Sequence, residues 1–396
     1  MIISLLSSFH CAIYAEPAST QHRVVAPKCL LKKINATYTT LASSKNLHFI
    51  ETNDAGIDAL IEAKQNQTTP CGGFMDVTHA WENDGKKMNA NHNAKSFLAA
   101  YETFPKTSLT TSYSIKYPTE VATLLKQSNP PYMWTRLQGL SSYKDRYSRS
   151  DNGVKAAQEI KAEVEAMAKN HGRDDVSTYF VTTGSYKQPS VVVKIGTSNQ
   201  PGVVIGAHID TLSSTFENKP GADDDGSGTV TVLEVARTLL SSGMHFNKPI
   251  YLIWYAAEEV GLVGSQYVVD DFKQKNIPVS AVMQFDMTAY AHKNDLTMWL
   301  YDDYTNKELT AYVETLINTY VKTPVKHDKC GYACSDHASW TQKGYNASMP
   351  FEASFRTDNP DIHTSRDTME KLSLAHMTNF AKLGLAFAVE LAEPSN

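Results

Sequence analysis

The chain is 396 residues long, 42% hydrophobic and 20% charged, the composition of an ordinary folded protein with room for one large domain and a smaller one. A formal net charge of -5 gives none of the basic surplus that nucleic-acid binding uses, and it demands no basic partner. Beyond the first stretch, no apolar run approaches the roughly 20 residues that span a bilayer, so neither a nucleic-acid nor a membrane partner is expected.

Met1 to Ala15 is largely apolar, and Ile13-Tyr14-Ala15 stands before Glu16, so residues 1–15 read as a signal peptide and the protein as secreted. The segment lacks a positive n-region and Ile13 is large for its distance from the cut, which leaves a buried N-terminal segment as the alternative. If Cys11 leaves with the signal, Cys29, Cys71, Cys330 and Cys334 remain. An oxidising compartment would favour pairing Cys29 with Cys71 and Cys330 with Cys334, with reduced thiols as the alternative for each pair. From Glu16 to Pro105 the chain is rich in Asn, Thr, Lys and Ala, has a turn at Cys71-Gly72-Gly73 and shows few periodic runs, and it reads as a small appended module.

Residues 106–396 read as the larger domain. Val154, Ala157, Ile160, Val164 and Met167 recur at helical spacing behind Ser150-Asp151, which can cap that helix. Val191 to Ile195, Val203 to Ala207 and Ile250 to Tyr255 are apolar, rich in β-branched and aromatic residues and too short for helices, so they read as buried strands. A helical stripe of Val230, Leu233, Ala236 and Leu240 ends at Gly243. A strand follows at Ala281 to Phe285, and a C-terminal helix carries Met377, Phe380 and Phe387. Strands alternating with helices argue for an α/β layered fold.

The polar residues of interest stand where these strands stop. Val203 to Ala207 runs into His208-Ile209-Asp210, at the strand end where open α/β sheets hold ligands. Pro220-Gly221-Ala222-Asp223-Asp224-Asp225-Gly226-Ser227-Gly228 precedes the helical stripe. Three adjacent carboxylates repel, so burying them needs a cation, and a solvated turn capping the helix is the alternative. Ile250 to Tyr255 leads to Glu258-Glu259, whose side chains diverge, so one can hold a metal while the other faces a substrate. Asp286 follows Phe285, and His363 follows Pro360-Asp361-Ile362. Neutral imidazoles mixed with carboxylates are the donor set that zinc takes.

From about Thr107 to Leu391 the chain resembles the secreted zinc aminopeptidases of family M28, of the bacterial leucyl aminopeptidase type. The resemblance rests on GAHID at 206–210, PGADDDGSG at 220–228, YAAEEVGLVGSQ at 255–266, FDMTAY at 285–290, CGYACSDHASW at 330–340 and IHTSRDT at 362–368. It implies a mixed, mostly parallel central sheet flanked by helices, with a small N-terminal prosegment at 16–105 shed by a processing protease. It also implies a monomer that acts on peptide or protein N-termini with two zinc ions. His208 and Asp286 would hold one ion, Glu259 and His363 the other, and Asp224 both. Glu258 would be the general base, with Asp210 orienting His208. Met287, Tyr332, Met349, Phe351, Phe355 and Ile362 would surround the side chain of the residue removed. Asp358 stands where relatives carry an aromatic residue, which leaves open a preference for apolar residues or for Lys and Arg, and an exposed loop acid as a third reading. A non-catalytic peptide-binding relative and a single-zinc glutaminyl cyclase remain as alternatives. A carboxypeptidase ranks last because no cationic clamp for a terminal carboxylate stands out.

Overall fold

The computed structural model describes residues 20–65, 71–88, 93–102 and 112–395. The expected signal segment with Cys11, and the expected junction at 105/106, lie outside the described residues.

The N-terminal region, which shows few periodic runs in sequence, is a folded unit. Strands β1 (Gln21–Pro27), β2 (Thr39–Ser43), β3 (Leu47–Asn53) and β4 (Met75–Asp76) form an antiparallel sheet in the order β2-β3-β1-β4. Successive residues of a strand point to opposite faces. Val24, Ala26 and Ile50 therefore pack with Ile57 and Leu60 of helix Asp54–Gln65, while Val25 and Phe49 pack on the other side with Trp81 and Phe97. Both cores continue into the larger domain: Ala257, Val260 and Val263 join the first with Tyr186, and Leu262 joins the second with Ala338.

The main sheet comprises β5 (Val176–Thr183), β6 (Tyr186–Ile195), β7 (Gly202–His208), β8 (Ile250–Tyr255), β9 (Val279–Gln284), β10 (Met298–Tyr301), β11 (Val325–Asp328) and β12 (Ala347–Phe351). Its order is β11-β10-β12-β9-β7-β8-β6-β5, parallel through β8-β7-β9-β12 and again between β10 and β11. It is antiparallel at β5-β6-β8 and β10-β12. The central strands are apolar on both faces, as parallel strands covered by helices are. Leu252 and Trp254 meet helices Asp151–Asn170, Gly228–Ser241 and Leu374–Ala392. Ile253 and Tyr255 meet helix Val263–Gln274 and Trp340.

The elements expected from apolar periodicity all form, and Ser150 caps helix Asp151–Asn170 by accepting from Gly153 N at 3.0 Å. Three parallel strands, β7, β8 and β9, end side by side. His208 is the last residue of β7, and the segments that leave the C-terminal ends of β8 and β9 carry Glu258-Glu259 and Asp286.

Candidate metal centre and side-chain pocket

The three adjacent acids are not a solvated turn: Asp223, Asp224 and Asp225 are 0%, 6% and 0% exposed. They do three different things. Asp225 is consumed by backbone, accepting from His208 N at 3.0 Å, Gly228 N at 2.9 Å and Met287 N at 3.1 Å, so it ties the ends of β7 and β9 to the start of helix Gly228–Ser241. Gly228 is needed for this, since a Cβ there would stand 2.3 Å from Asp225 Oδ1. Asp223 accepts from Ala289 N at 3.3 Å and Asn359 Nδ2 at 2.9 Å. Asp224 alone faces the cleft. Its Oδ1 lies 3.1 Å from His208 Nε2 and its Oδ2 lies 2.9 Å from His363 Nε2.

Around those two imidazoles the other expected ligands fall into place, with Asp286 Oδ1 3.6 Å from His208 Nε2 and Glu259 Oε2 3.1 Å from His363 Nε2. Two donors each 2.0–2.2 Å from a tetrahedral zinc stand about 3.4 Å apart, so these spacings fit an ion on either side of Asp224. His208 Nε2 is buried and makes no hydrogen bond among the described residues, as a ligand nitrogen aimed at a metal would be. Charge points the same way. Burial alone would lower both imidazoles, yet the surrounding carboxylates carry His208 well above its usual range and His363 to about 10. Burial would raise Asp224, but the His208 and His363 imidazoles against its two oxygens hold it well below the usual range. A buried cluster with this much negative charge needs cations, and the donor set suits zinc.

Two carboxylates position the ligand-bearing backbone by the same device. Asp210 spreads its oxygens over Glu258 N at 3.0 Å and Glu259 N at 3.2 Å, and Asp367 spreads its own over Asp223 N at 3.0 Å and Asp224 N at 3.1 Å. The Asp210 carboxylate, expected to orient His208, hydrogen-bonds these amides instead. His208 Nδ1 lies 3.2 Å from the Asp210 backbone carbonyl and 3.6 Å from its carboxylate. Glu352 adds a similar clasp on Ala289 and Tyr290. Arg146, fully buried, donates to the carbonyls of Ile209, Leu140, Pro220 and Gly221 and so binds the β7 exit to the acidic turn. Ala257, Leu262, Met287 and His363 all have positive φ, near 60°. Such backbone is uncommon outside glycine and gathers at functional sites.

Glu258 is buried beside this cluster, and burial pushes its carboxyl well above the usual range, with His208 and Lys64 opposing. The adjoining cavity leaves about 70 Å³ and is lined by Glu258, Asp224, Asp286 and His363 at the cluster. Met287, Tyr332, Met349, Phe351, Phe355, Asp358 and Ile362, all the expected pocket residues, line the remainder, together with Tyr301 and Cys334. Asp358 is therefore a half-buried pocket acid and not an exposed loop residue. Cys330 and Cys334 form a disulfide behind Tyr332. Cys29 and Cys71, the other expected pair, are not joined by a disulfide; Cys29 Sγ donates to the Cys71 carbonyl oxygen at 3.5 Å, and burial and the neighbouring Cys71 thiol push the Cys29 thiol up.

One lining residue comes from the N-terminal unit. Lys64, in the last turn of helix Asp54–Gln65, enters the cavity. Burial would lower its ammonium, but the charges of Glu258, Glu259 and Asp224 raise it above the ordinary lysine range. Beside it Gly72 and Gly73 lie so close to Tyr332 that a Cβ on either would approach its side chain to 2.9 Å. Lys64, Asp367, Glu352 and Arg146 were not singled out by sequence. A signal existed for Asp367, which stands inside the IHTSRDT motif, whereas Lys64 sits in an unremarkable polar stretch.

Residues 190–388 match peptidase family M28. The chain is 35% identical over 332 residues to leucine aminopeptidase 1 of the fungus Metarhizium robertsii, covering 78% of this chain and 84% of that protein. Among solved structures, the Legionella pneumophila LapA aminopeptidase superposes with a TM-score of 0.87 at 43% identity, covering 95% of this chain and 99% of that one. LapB of the same organism superposes with a TM-score of 0.86 at 40% identity, covering 94% of this chain and 100% of that one. With this sheet, this donor set and these relatives, the chain belongs to peptidase family M28, as a zinc-dependent aminopeptidase.

Proposed function

We propose that the protein is exported and removes single residues from peptide N-termini with two zinc ions, one held by His208 and Asp286, the other by Glu259 and His363, and both by Asp224. The observation that carries this reading is the division of the Asp224 carboxylate, one oxygen toward each imidazole. When bound, the ions supply a water of lowered pKa and positive charge for the oxyanion developing on the scissile carbonyl. Glu258 takes the proton from the attacking water and returns it to the leaving amine. Its buried setting raises its affinity for that proton. Asp210 holds Glu258 and Glu259 in register by their amides. The free α-ammonium of a substrate docks among the acids of the cluster and its first side chain enters the pocket, so the chemistry trims ends.

Residues 16–105 act as a prosegment that blocks this site until a protease removes it. The support is Lys64, which stands among Glu258, Glu259 and Asp224. The Cys330–Cys334 disulfide supports an oxidising compartment, and hence export. Sequencing the N-terminus of protein recovered from the medium tests export and processing together.

The deciding experiment is hydrolysis of amino-acid p-nitroanilides by the processed protein, with metal content measured alongside. Two metals per chain, activity abolished by a chelator, and a loss of about 10²–10⁴-fold in Glu258→Gln are expected. No hydrolysis by fully metallated, processed protein overturns the reading. One metal per chain with cyclisation of N-terminal glutamine would establish the cyclase alternative.

A further inference from the structure

The pocket beside the metal cluster contains an acid that the chemistry does not use. Its walls are apolar or aromatic, formed by Met287, Met349, Phe351, Phe355 and Ile362 with the rings of Tyr301 and Tyr332. Of the acids that line it, Asp224, Glu258 and Asp286 belong to the centre and Asp358 does not. Asp358 shares this lining with Tyr301 and Tyr332, and its charge adds to burial in raising both phenols. Among the described residues Asp358 has no ion-pair partner. Burial carries its carboxyl to about 7, with Asp223 and Asp224 adding to the rise and its own amide and His363 opposing it. Lys64, the cation that enters the cavity, is held by the catalytic acids instead.

An acid half-withdrawn from water among aromatic rings is costly unless a cation reaches it. Lysine and arginine side chains suit such a slot, because their methylene stems pack along apolar walls while the charged head pairs with a carboxylate and lies against aromatic faces. A leucine side chain would fill the same walls and leave the carboxylate dehydrated and unpaired, a mismatch that sites with buried polar groups reject.

We infer that Asp358 sets the specificity of the pocket, selecting a basic residue, lysine or arginine, at the substrate's N-terminus. This rests on the aminopeptidase reading and adds the substrate class to it.

The test compares kcat/KM for Lys-, Arg- and Leu-p-nitroanilide in the processed, metallated enzyme with the same ratios in Asp358→Asn and Asp358→Leu. Wild type is expected to prefer the basic substrates, and the Lys-to-Leu ratio is expected to fall about tenfold or more in Asp358→Asn and further in Asp358→Leu. A ratio between substrates is insensitive to how much enzyme folds or binds metal, so a purely structural role would leave it in place. Hydrolysis of Leu with an unchanged ratio in both variants overturns this inference and leaves the aminopeptidase reading standing. A wild-type preference for Leu over Lys overturns it equally. Failure of wild type to cleave any of the three overturns both.

Discussion

At the scale of single residues the site is a division of labour among carboxylates. Asp224, Glu259 and Asp286 face the imidazoles, Glu258 lines the adjoining pocket, and Asp210, Asp225, Asp367 and Glu352 hold backbone amides. The second group matters because a metal ligand is only as well placed as the chain that carries it. Replacing Asp367 by Asn exchanges one acceptor oxygen for a donor that confronts an amide N–H of the Asp223-Asp224 pair. Asp367→Asn is expected to weaken zinc binding by about 10–100-fold, read by titrating zinc into apoenzyme against a chelating indicator. Asp210→Asn makes the same exchange beneath Glu258 and Glu259 and is expected to lower kcat by about 10–100-fold even at saturating zinc, because it also loosens the general base. Full activity of Asp210→Asn at saturating zinc would remove Asp210 from the positioning role. The sequence exposed this group poorly. Three consecutive aspartates look alike in a string of letters, and what separates them is which amide or imidazole each oxygen meets.

Among elements, the decisive contact lies between the N-terminal sheet and the segment Ala257–Val263, which bears Glu258 and Glu259 and is packed from both sides of that sheet. Gly261 lets the two approach: it has φ of 112°, and a Cβ there would stand 2.6 Å from Asp76 N, which donates to the Gly261 carbonyl at 3.0 Å. Asp76 in turn accepts from the buried His22 at 2.6 Å, and His22 reaches Asp54 at 3.1 Å, which pairs with Arg149 of the larger domain at 2.8 Å. Burial alone would lower the His22 imidazole, yet its bonds to Asp76 and Asp54 raise it above 6.5. A raised folded pKa means that the contribution of His22 is fully present below the unfolded value and is lost as pH rises through the folded one. The docked N-terminal unit is therefore expected to become easier to release by limited proteolysis between mildly acid and alkaline pH. His22→Gln should flatten that dependence, and an unchanged pH profile in the variant would exclude His22 as its source. The strands of this unit are short and their alternation serves two cores at once, which is why few periodic runs show in the sequence.

For the molecule as a whole, Lys64 of the N-terminal unit brings positive charge to the same buried acids that would hold metal. Removing Lys64 should uncover the cleft without unfolding the unit, whose core lies elsewhere. Lys64→Ala in the unprocessed chain is expected to raise aminopeptidase activity toward that of processed enzyme, measured on the same p-nitroanilides. Activity equal to that of the unprocessed wild type would exclude the lysine as a block on the site. Stripping metal from processed enzyme leaves the carboxylates without counter-ions, so the chelated form is expected to unfold at a lower temperature in a thermal scan, and added zinc should restore it.

The sequence by itself determined the α/β layering, the central strands, the metal-ligand candidates and the family, because these are local. A short apolar run makes a buried strand, and the polar residues just beyond it stand at that strand's end whatever the rest of the chain does. Only the tertiary structure decided what depends on distant segments meeting: that Asp367 clasps amides 143 and 144 positions away, that Asp358 lines the pocket, that no disulfide joins Cys29 and Cys71, and that Lys64 enters the cleft. Such contacts leave no periodicity in the chain, since each is set by packing between elements and not by the propensities of the residues beside it.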